Sequence, residues 1–329
     1  MKKTLIALAA IGACGAALAE SSVTLYGVAD AGVGRIKTQS AVDPRLGLGF
    51  ADPGDAENGN GKTQFTSHSL MNNANSRVGF KGVEDINDCL KAGFQFETGL
   101  DLDDGAADGT FWQRQANVWV GGNWGTIKLG RQFTPSFLTQ STYELTDMAN
   151  YSVLANTYGV ASLFFRAPSA FAYVTPNMGG LTAAVAFVSK NDTGLRKNIW
   201  DVGLMYANGP ISAGASINRG YDNGHKNWQL GGKYDFGSFA LAVSHQSSST
   251  NDAADLARRG WSLGGTAKLG AFAVTVDVTR DTKNRIHNKK FTNGLIEAKY
   301  ALSKRTFFYG AALRQDGQTN YGVGINHSF

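Results

Sequence analysis

The feature that most constrains this chain is an alternation of apolar and polar residues with a period of two, which recurs from end to end. Between Leu90 and Leu102 one face is mostly apolar, whereas the other carries Lys91, Gln95, Glu97 and Asp101 together with glycines. Successive side chains of a β-strand point to opposite faces, so this pattern predicts strands with one apolar and one polar face. The segment spans about 13 residues, more than the ~9–11 that a tilted strand needs to cross a bilayer.

Short and long connections alternate between these stretches. Short ones include residues 121–123 and 269–271, whereas long ones span residues 35–75, 132–165, 247–259 and 281–290. Short turns on one side and long loops on the other are typical of outer-membrane barrels. The turns predict sixteen strands, which begin near residues 23, 76, 90, 112, 124, 167, 181, 198, 211, 227, 239, 260, 271, 291, 305 and 320. We therefore expect an all-β fold, a transmembrane 16-stranded antiparallel β-barrel with an aqueous lumen.

The composition supports this interpretation. Charged residues make up 17% of the chain, below the roughly 25% of ordinary soluble domains. The mean hydropathy is nonetheless slightly negative, which excludes a bundle of membrane helices. A soluble β-sandwich also gives alternating strands, but its hairpins do not sort into short and long sides over so many strands.

The first 19 residues are predicted to be a cleaved export signal. Lys2 and Lys3 precede an apolar stretch, and the small-residue site Ala17-Leu18-Ala19 follows. An alternative is a lipoprotein cleavage box at residues 11–14, which would leave Cys14 acylated. Cleavage after Ala19 predicts a single barrel domain over residues 20–329, with one remaining cysteine and therefore no internal disulfide.

The last strand and four internal motifs resemble a known family. The final segment carries Tyr321, Val323, Ile325 and Phe329 on one face, and it resembles the terminal signal that the barrel assembly machinery recognises, in which a C-terminal Phe is the most diagnostic residue. The chain is similar to the general diffusion porins of Gram-negative bacteria, in their betaproteobacterial branch. The motifs that carry the similarity are Ser22-Val-Thr-Leu-Tyr-Gly27, Ser76-Arg-Val-Gly-Phe-Lys-Gly-Val-Glu-Asp85, Leu90-Lys-Ala-Gly-Phe94 and Gly125-Thr-Ile-Lys-Leu-Gly-Arg131.

The resemblance implies location, assembly and function. It implies a homotrimer in the bacterial outer membrane, surrounded by lipid and lipopolysaccharide, with each barrel narrowed by its third external loop. It further implies passive diffusion of small hydrophilic solutes and ions, without a catalytic step and without nucleic acid as a partner.

The third external loop, residues 132–165, is the predicted constriction. It is too long and too apolar for a solvated hairpin tip, and a loop of this length in a compact domain is usually functional. Folding inward would bury its apolar side chains against the barrel wall. Glu144 and Asp147 are the acids that it could present to the lumen, and the alternative is that both are ordinary exposed loop acids.

Basic residues are expected on the opposing wall. By the alternation of the strand, Val78 and Phe80 are predicted to face lipid, so Arg77 and Lys81 are predicted to face the barrel interior. An arginine that faced lipid at mid-depth would cost about 2–4 kcal/mol, which favours the inward face. Lys81 is a secondary wall candidate, as are Lys128 and Arg131.

Three arginines correspond to a cluster in the resembled family. In its anion-selective members, arginines at the positions of Arg77, Arg114 and Arg166 form the basic cluster of the constriction. Arg114 shares the parity of Ala116 and Val118, which look lipid-facing, so it needs a bulge or a position above the bilayer. A ring of positive charge concentrates anions and repels cations, which predicts an anion-preferring pore.

Other functions are less well supported by the sequence. A substrate-specific channel for sugars or organic anions is the main alternative, because aromatic residues such as Tyr26, Trp112, Tyr143 and Tyr158 could line a track. A barrel enzyme needs a nucleophile, a His and an acid in one place, and no such arrangement stands out. A barrel that serves as an adhesin or scaffold would not conduct at all.

No cofactor is expected, with one qualification at an external loop. The five histidines lie far apart and lack metal-ligand spacing. Asp101, Asp103 and Asp104 are followed by a glycine at the second external loop, and carboxylates of this kind could hold Ca²⁺.

Overall fold

The computed structural model describes residues 21–37, 61–159, 165–193, 197–219, 226–249 and 257–329. The export signal predicted for residues 1–19 lies outside the described residues, as does the stretch 160–164 of the predicted constriction loop. Among the described residues, no helix is both long and apolar enough to cross a membrane.

The described strands form one antiparallel sheet that closes on itself as a barrel. Sixteen of its strands make the wall, and their predicted start positions lie within three residues of the observed ones. They are β1 (Ser21–Arg35), β3 (Arg77–Asn87), β4 (Leu90–Leu100), β6 (Gln115–Gly122), β7 (Gly125–Phe133), β8 (Arg166–Val174), β9 (Leu181–Val188), β10 (Ile199–Asn208), β11 (Ile211–Arg219), β12 (Lys226–Asp235), β13 (Phe239–Ser249), β14 (Ala257–Leu269), β15 (Phe272–Asn284), β16 (Thr292–Ala301), β17 (Thr306–Gln315) and β18 (Gln318–Ser328). Two short strands, β2 (Thr63–Thr66) and β5 (Ala107–Asp108), pair only with the ends of β1 and β4.

The barrel closes at β1, which has a different neighbour along each half. From Ser21 to Val28 it pairs with β3, and from Val28 to Arg35 it pairs with β18. Each wall strand from β3 to β17 pairs with the wall strands before and after it in the sequence, and β18 pairs with β17 and β1. The wall therefore has no open edge, as a sheet in lipid requires, because an unpaired backbone group in hydrocarbon costs several kcal/mol.

The two faces of the wall differ in polarity, as the alternation predicted. In β15, Val276 and Val278 are 48% and 40% exposed, whereas Thr275, Asp277 and Thr279 between and beside them are buried. Most large apolar side chains of the other wall strands are likewise exposed, and most buried side chains of the wall are polar. This reverses the arrangement of a water-soluble protein and suits a barrel with lipid outside and polar contents inside.

The segment after β7 contributes two helices, α1 (Pro135–Tyr143) and α2 (Val153–Tyr158). The side chain of Thr134 accepts the backbone N–H of Phe137, and Pro135 follows at the first helical position. Both are common helix-start features, because they satisfy or remove a donor that has no partner within the helix. The side chain of Ser152 caps α2 in the same way. A third short helix, α3 (Lys190–Thr193), follows β9.

Helix α1 packs on the inner, polar face of β10, β11 and β12. Ser136 donates its backbone N–H and its hydroxyl to the buried carboxylate of Asp201, at 2.8 and 2.6 Å. The buried Tyr143 donates to Gln229 Oε1 at 2.9 Å. Its ring also needs the glycine at position 231, because a Cβ there would lie 2.5 Å from the ring. The segment therefore lies inside the barrel, attached to the wall by hydrogen bonds.

The second part of the segment is attached to the opposite stretch of wall. Tyr151 donates to Glu297 Oε1 of β16 at 2.6 Å, and Thr157 accepts from Asn293 of the same strand at 3.0 Å. Both tyrosine and threonine are fully buried. The segment thus spans from β10–β12 to β16, and it narrows the barrel interior.

A buried ion-pair network holds the loop ends of β14, β15 and β17. Arg258 donates to both carboxylate oxygens of Asp281 and to both of Asp316, at 2.6–3.1 Å. Burial alone would raise the pKa of Asp316, but its hydrogen bonds from Arg258 hold that pKa below the ordinary value. A bidentate arginine pair of this kind fixes geometry as well as charge.

Candidate functional site

A cavity of about 730 Å³ lies inside the barrel, between the inward segment and the wall. Charged side chains from several strands meet in it. Its charged and aromatic lining comprises Arg77, Glu97, Arg114, Asp147, Arg166, Lys268, Lys299, Lys304, Phe133, Phe137, Phe165, Phe272 and Phe307.

Glu97 of β4 is the centre of a charge cluster in this cavity. The carboxylate is buried, and Arg114 donates its Nε–H to Oε1 at 2.7 Å. The guanidiniums of Arg77 and Arg166 lie 3.8 and 3.9 Å from the carboxylate oxygens, and the Tyr26 hydroxyl donates to Oε2 at 3.0 Å. The structure thus brings together the three arginines that the sequence singled out. We call Arg77, Arg114 and Arg166 the arginine cluster.

Three different elements position these arginines. Arg77 is the first residue of β3, and in the β3–β4 register it lies diagonally from Glu97, since Arg77 pairs with Gly99 and Gly79 pairs with Glu97. Arg166 is the first residue of β8. Arg114 lies just before β6, and its backbone N–H donates to the carbonyl oxygen of Glu97 at 3.2 Å.

The position of Arg114 resolves the parity conflict in the sequence. Because Arg114 precedes the strand, the alternation of β6 does not determine its direction. Trp112, two residues earlier, has a left-handed backbone with a φ of 60°, which turns the chain as it enters the wall. Arg114 therefore points inward together with the neighbouring Gln115, without a lipid-facing charge.

The cluster carries an excess of positive charge. Three guanidiniums face one carboxylate, which leaves a formal charge of +2 at this point of the wall. Of the three arginines, Arg114 alone makes a hydrogen bond to Glu97, whereas Arg77 and Arg166 are held at distances that leave Coulomb attraction alone. The Arg77 side chain is also the most open, at 27% exposure against 10% for Arg114. Arg77 and Arg166 are therefore the charges that a solute in the cavity meets.

The two acids predicted for the lumen occupy different environments. Glu144 is buried and accepts four hydrogen bonds within its own segment, from the backbone and hydroxyl of Thr146, the backbone of Met148 and the hydroxyl of Ser152, at 2.7–2.8 Å. The prediction that Glu144 faces the lumen is wrong, because these bonds hold the carboxylate within its own segment. There it shapes the connection between α1 and α2. Asp147 does line the cavity; its side chain is 93% exposed.

Asp147 faces a basic residue that the sequence did not single out. Lys299 of β16 lies 3.9 Å from the Asp147 carboxylate and 3.2 Å from Glu297. The ammonium group also donates to the carbonyl oxygen of Thr146 at 3.3 Å. Lys299 therefore joins the wall to the inward segment on the side of the cavity away from Glu97.

The secondary wall candidates are not part of the cavity lining. Lys81 is exposed on the inner face, with its ammonium group 5.5 Å from the Tyr26 ring. Lys128 shares the inward parity of the buried Gln132. Arg131 has the opposite parity, and its Nε donates to the carbonyl oxygen of Gln113 in the loop before β6.

The second external loop shows no converging metal ligands. Asp101 accepts the backbone N–H of Asp103 at 3.0 Å, and Asp104 accepts that of Ala106 at 2.7 Å, so both carboxylates shape the turn. Across the described ranges, no group of three or more His, Cys, Asp or Glu side chains is arranged to hold a metal ion. The Ca²⁺ site stays a prediction without support from this geometry.

Sequence reasoning missed Glu97 as a site residue, although its place on the polar face of an alternating segment was part of the signal for it. The strands β3 and β4 are joined by a turn of only two residues, Asp88 and Cys89. A bulge next to this turn shifts the register by one residue, since Asn87 pairs with Leu90 but Asp85 pairs with Lys91. Counting back from the turn alone would therefore have placed Arg77 and Glu97 on opposite faces of the sheet.

Comparison with known proteins identifies the family. A model of the Gram-negative porin family matches residues 4–320 of the chain. The chain belongs to the Gram-negative porins. The predicted family and the outer-membrane location are thereby confirmed, and the structure confirms the closed barrel of sixteen wall strands.

Individual porins are similar over most of the chain. Outer membrane porin protein 32 of Delftia acidovorans is 33% identical over 259 residues, which cover 74% of this chain and 68% of that protein. An outer membrane porin protein of Bordetella pertussis is 30% identical over 277 residues, which cover 74% of this chain and 69% of that protein.

Solved structures share the fold. The anion-selective porin from Comamonas acidovorans superposes with a TM-score of 0.76 at 24% identity, over 94% of this chain and all of that one. OmpT of Vibrio cholerae superposes with a TM-score of 0.68 at 14% identity, over 94% of this chain and 99% of that one.

Proposed function

We propose that this porin is a water-filled channel for the passive diffusion of small hydrophilic solutes and ions, and that it prefers anions. The observation that carries the proposal is the arginine cluster, in which Arg77, Arg114 and Arg166 surround the single carboxylate of Glu97. Selectivity in a pore follows from its width and from the charges at its narrow part. A local excess of positive charge raises the concentration of anions there and lowers that of cations.

The proposed constriction is the segment 132–165, whose described part lies inside the barrel. Its hydrogen bonds to Asp201, Gln229 and Glu297 support a fixed position rather than a moving flap. The proposed selectivity also agrees with the description of the Comamonas acidovorans structure as an anion-selective porin. The function has no catalytic step, and the resemblance supports a homotrimer inserted by the barrel assembly machinery, in contact with lipid and lipopolysaccharide.

Planar-bilayer recording under a salt gradient tests the proposal. With KCl at different concentrations on the two sides, we expect a reversal potential of the sign that indicates chloride preference. We also expect the conductance to rise by three equal increments for each inserted trimer. Arg77→Ala and Arg166→Ala should each shift the reversal potential toward potassium and raise the conductance, because each removes a charge and opens space.

A matched control removes an arginine outside the cavity. Arg314 of β17 is exposed and has the outward parity, so Arg314→Ala changes the total charge equally without changing the cavity. We expect it to leave the reversal potential unchanged. Potassium preference in the unmodified protein would refute the proposed selectivity, and absence of conductance would refute the channel.

A further inference from the structure

Three phenylalanines form an aromatic surface inside the barrel, next to the arginine cluster. Phe133 at the end of β7 stacks on Phe137 of α1, with ring centroids 4.4 Å apart and planes 6° from parallel. Phe165, just before β8, meets Phe137 edge to face at 5.5 Å. We call these three residues the phenylalanine shelf. All three line the cavity and are only partly buried.

The shelf and the arginine cluster are in direct contact. The guanidinium of Arg166 lies over the ring of Phe133, 4.3 Å from its centroid. Met148 extends the apolar surface by packing against Phe137 and Phe165. One wall of the passage is therefore cationic and aromatic at the same time.

This combination exceeds what a passage for small inorganic ions requires. Partly exposed aromatic side chains in a water-filled space have an unfavourable hydration that only an apolar contact can relieve. The side chains of Arg77 and Arg166 remain 27% and 15% exposed, so both guanidiniums keep N–H donors that a carboxylate in the cavity can reach.

We propose that the phenylalanine shelf and the arginine cluster form a transient binding site for aromatic carboxylates on their way through the channel. This inference rests on the proposed function, and it names the solute class that the site selects. The carboxylate of the solute accepts hydrogen bonds from Arg166 and Arg77, and its ring packs against the exposed parts of Phe137 and Phe165.

The chemistry of the two contacts is complementary. A carboxylate matches the planar fork of a guanidinium, and aromatic rings pack edge to face or offset with one another and stack on guanidinium planes. Acetate has only the first contact, and benzene has only the second. Binding must stay weak for the solute to leave, so the expected signature is a saturable reduction of chloride current at millimolar solute.

Benzoate block of chloride current tests the proposal. In planar bilayers at constant ionic strength, conductance is measured as benzoate, acetate or cyclohexanecarboxylate replaces part of the chloride. We expect benzoate to reduce the chloride conductance with saturation, at concentrations about tenfold lower than acetate. Cyclohexanecarboxylate matches benzoate in charge and ring size but lacks the π-system, and it should be intermediate.

Two shelf variants and one control locate the site. Phe137→Leu keeps apolar volume but removes the ring, and it should raise the half-blocking benzoate concentration about two- to tenfold, the range expected for loss of one aromatic pair. Phe165→Leu should act in the same direction, and it replaces Phe137→Leu in the experiment if that variant does not insert into the bilayer. Phe307→Leu is the control, because Phe307 lines the same cavity on the side of Lys299, away from the arginine cluster.

The outcomes separate this inference from the proposed function. Equal block by benzoate and acetate, equal block by benzoate and cyclohexanecarboxylate, or equal effects of Phe137→Leu and Phe307→Leu would each overturn the aromatic site. If chloride preference is present while any of these results is found, the proposed function stands and only the shelf fails. Potassium preference in the unmodified channel defeats the proposed function, and the comparison of benzoate with acetate still decides on the shelf.

Discussion

Replacing Glu97 by Gln isolates the electrostatic role of the central carboxylate in the arginine cluster. The substitution removes one negative charge, which takes the formal charge of the cluster from +2 to +3. Gln keeps the shape of the side chain and one acceptor oxygen, so the hydrogen bond from Arg114 has a partner. We therefore expect the three guanidiniums to stay near their positions and the preference for anions to increase.

The size of the effect follows from Coulomb's law. At roughly 6 Å in a water-like dielectric, one unit charge changes the energy of a passing ion by about 0.7 kcal/mol. Roughly half of this remains at about 0.1 M salt, where the screening length is about 10 Å. Anions gain and cations lose by the same amount, so the difference of about 0.8 kcal/mol raises the anion-to-cation permeability ratio about three- to fourfold. At about 0.01 M salt the increase should be larger, because screening is weaker.

The assay is the reversal potential of Glu97→Gln under KCl gradients of low and high mean concentration. Asp85→Asn is the matched control, because it removes the same charge from an ion pair with Lys91 that is outside the cavity. We expect the control to keep the selectivity of the unmodified channel. A permeability ratio that stays constant or falls in Glu97→Gln, or that rises equally in both variants, would refute the assignment of Glu97 to the constriction.

Three further changes have defined outcomes. Arg77→Gln should lower the anion-to-cation ratio more than Arg114→Gln in the same assay, since Arg77 is open to the cavity while Arg114 is hydrogen-bonded to the carboxylate. Arg258→Gln should destabilise the barrel by about 3–5 kcal/mol, because it leaves two carboxylates near the loop ends without their cation; a lower urea midpoint would show this. The contribution of Asp316, whose pKa is depressed, is present above the unfolded pKa of about 3.9 and is lost as the pH falls through the folded value. Asp316→Asn should therefore lower the midpoint more at pH 7 than at pH 2, and equal differences at the two pH values would contradict the argument.

The wall of this barrel could be predicted from the sequence because its pattern is local. Each strand carries its own alternation, and most short turns carry a glycine or an asparagine, so strand positions need no knowledge of distant residues. The start of α1 was locally encoded too, by Thr134 as a cap and Pro135 behind it.

The interior was harder to predict because its contacts join distant parts of the chain. The direction of the inward segment depends on Asp201 and Glu297, which follow Ser136 and Tyr151 by 65 and 146 residues. The prediction for Glu144 was wrong for a different reason, since hydroxyl and backbone donors a few residues away hold its carboxylate within its own segment. Local donors can therefore hold a loop acid away from the water-filled passage.

The two-sided pairing of β1 sets a limit on how this protein can reach its folded state. Residues 28–35 find their partners in residues 321–328, so the final seam cannot form before nearly the whole polypeptide is available. Until then the growing sheet has two free edges lined with unpaired N–H and C=O groups, which readily recruit other strands. The long span of the seam also makes closure a late and entropically demanding event. The topology therefore keeps the free edges of the sheet exposed until the last strand arrives, independent of which solutes the finished channel admits.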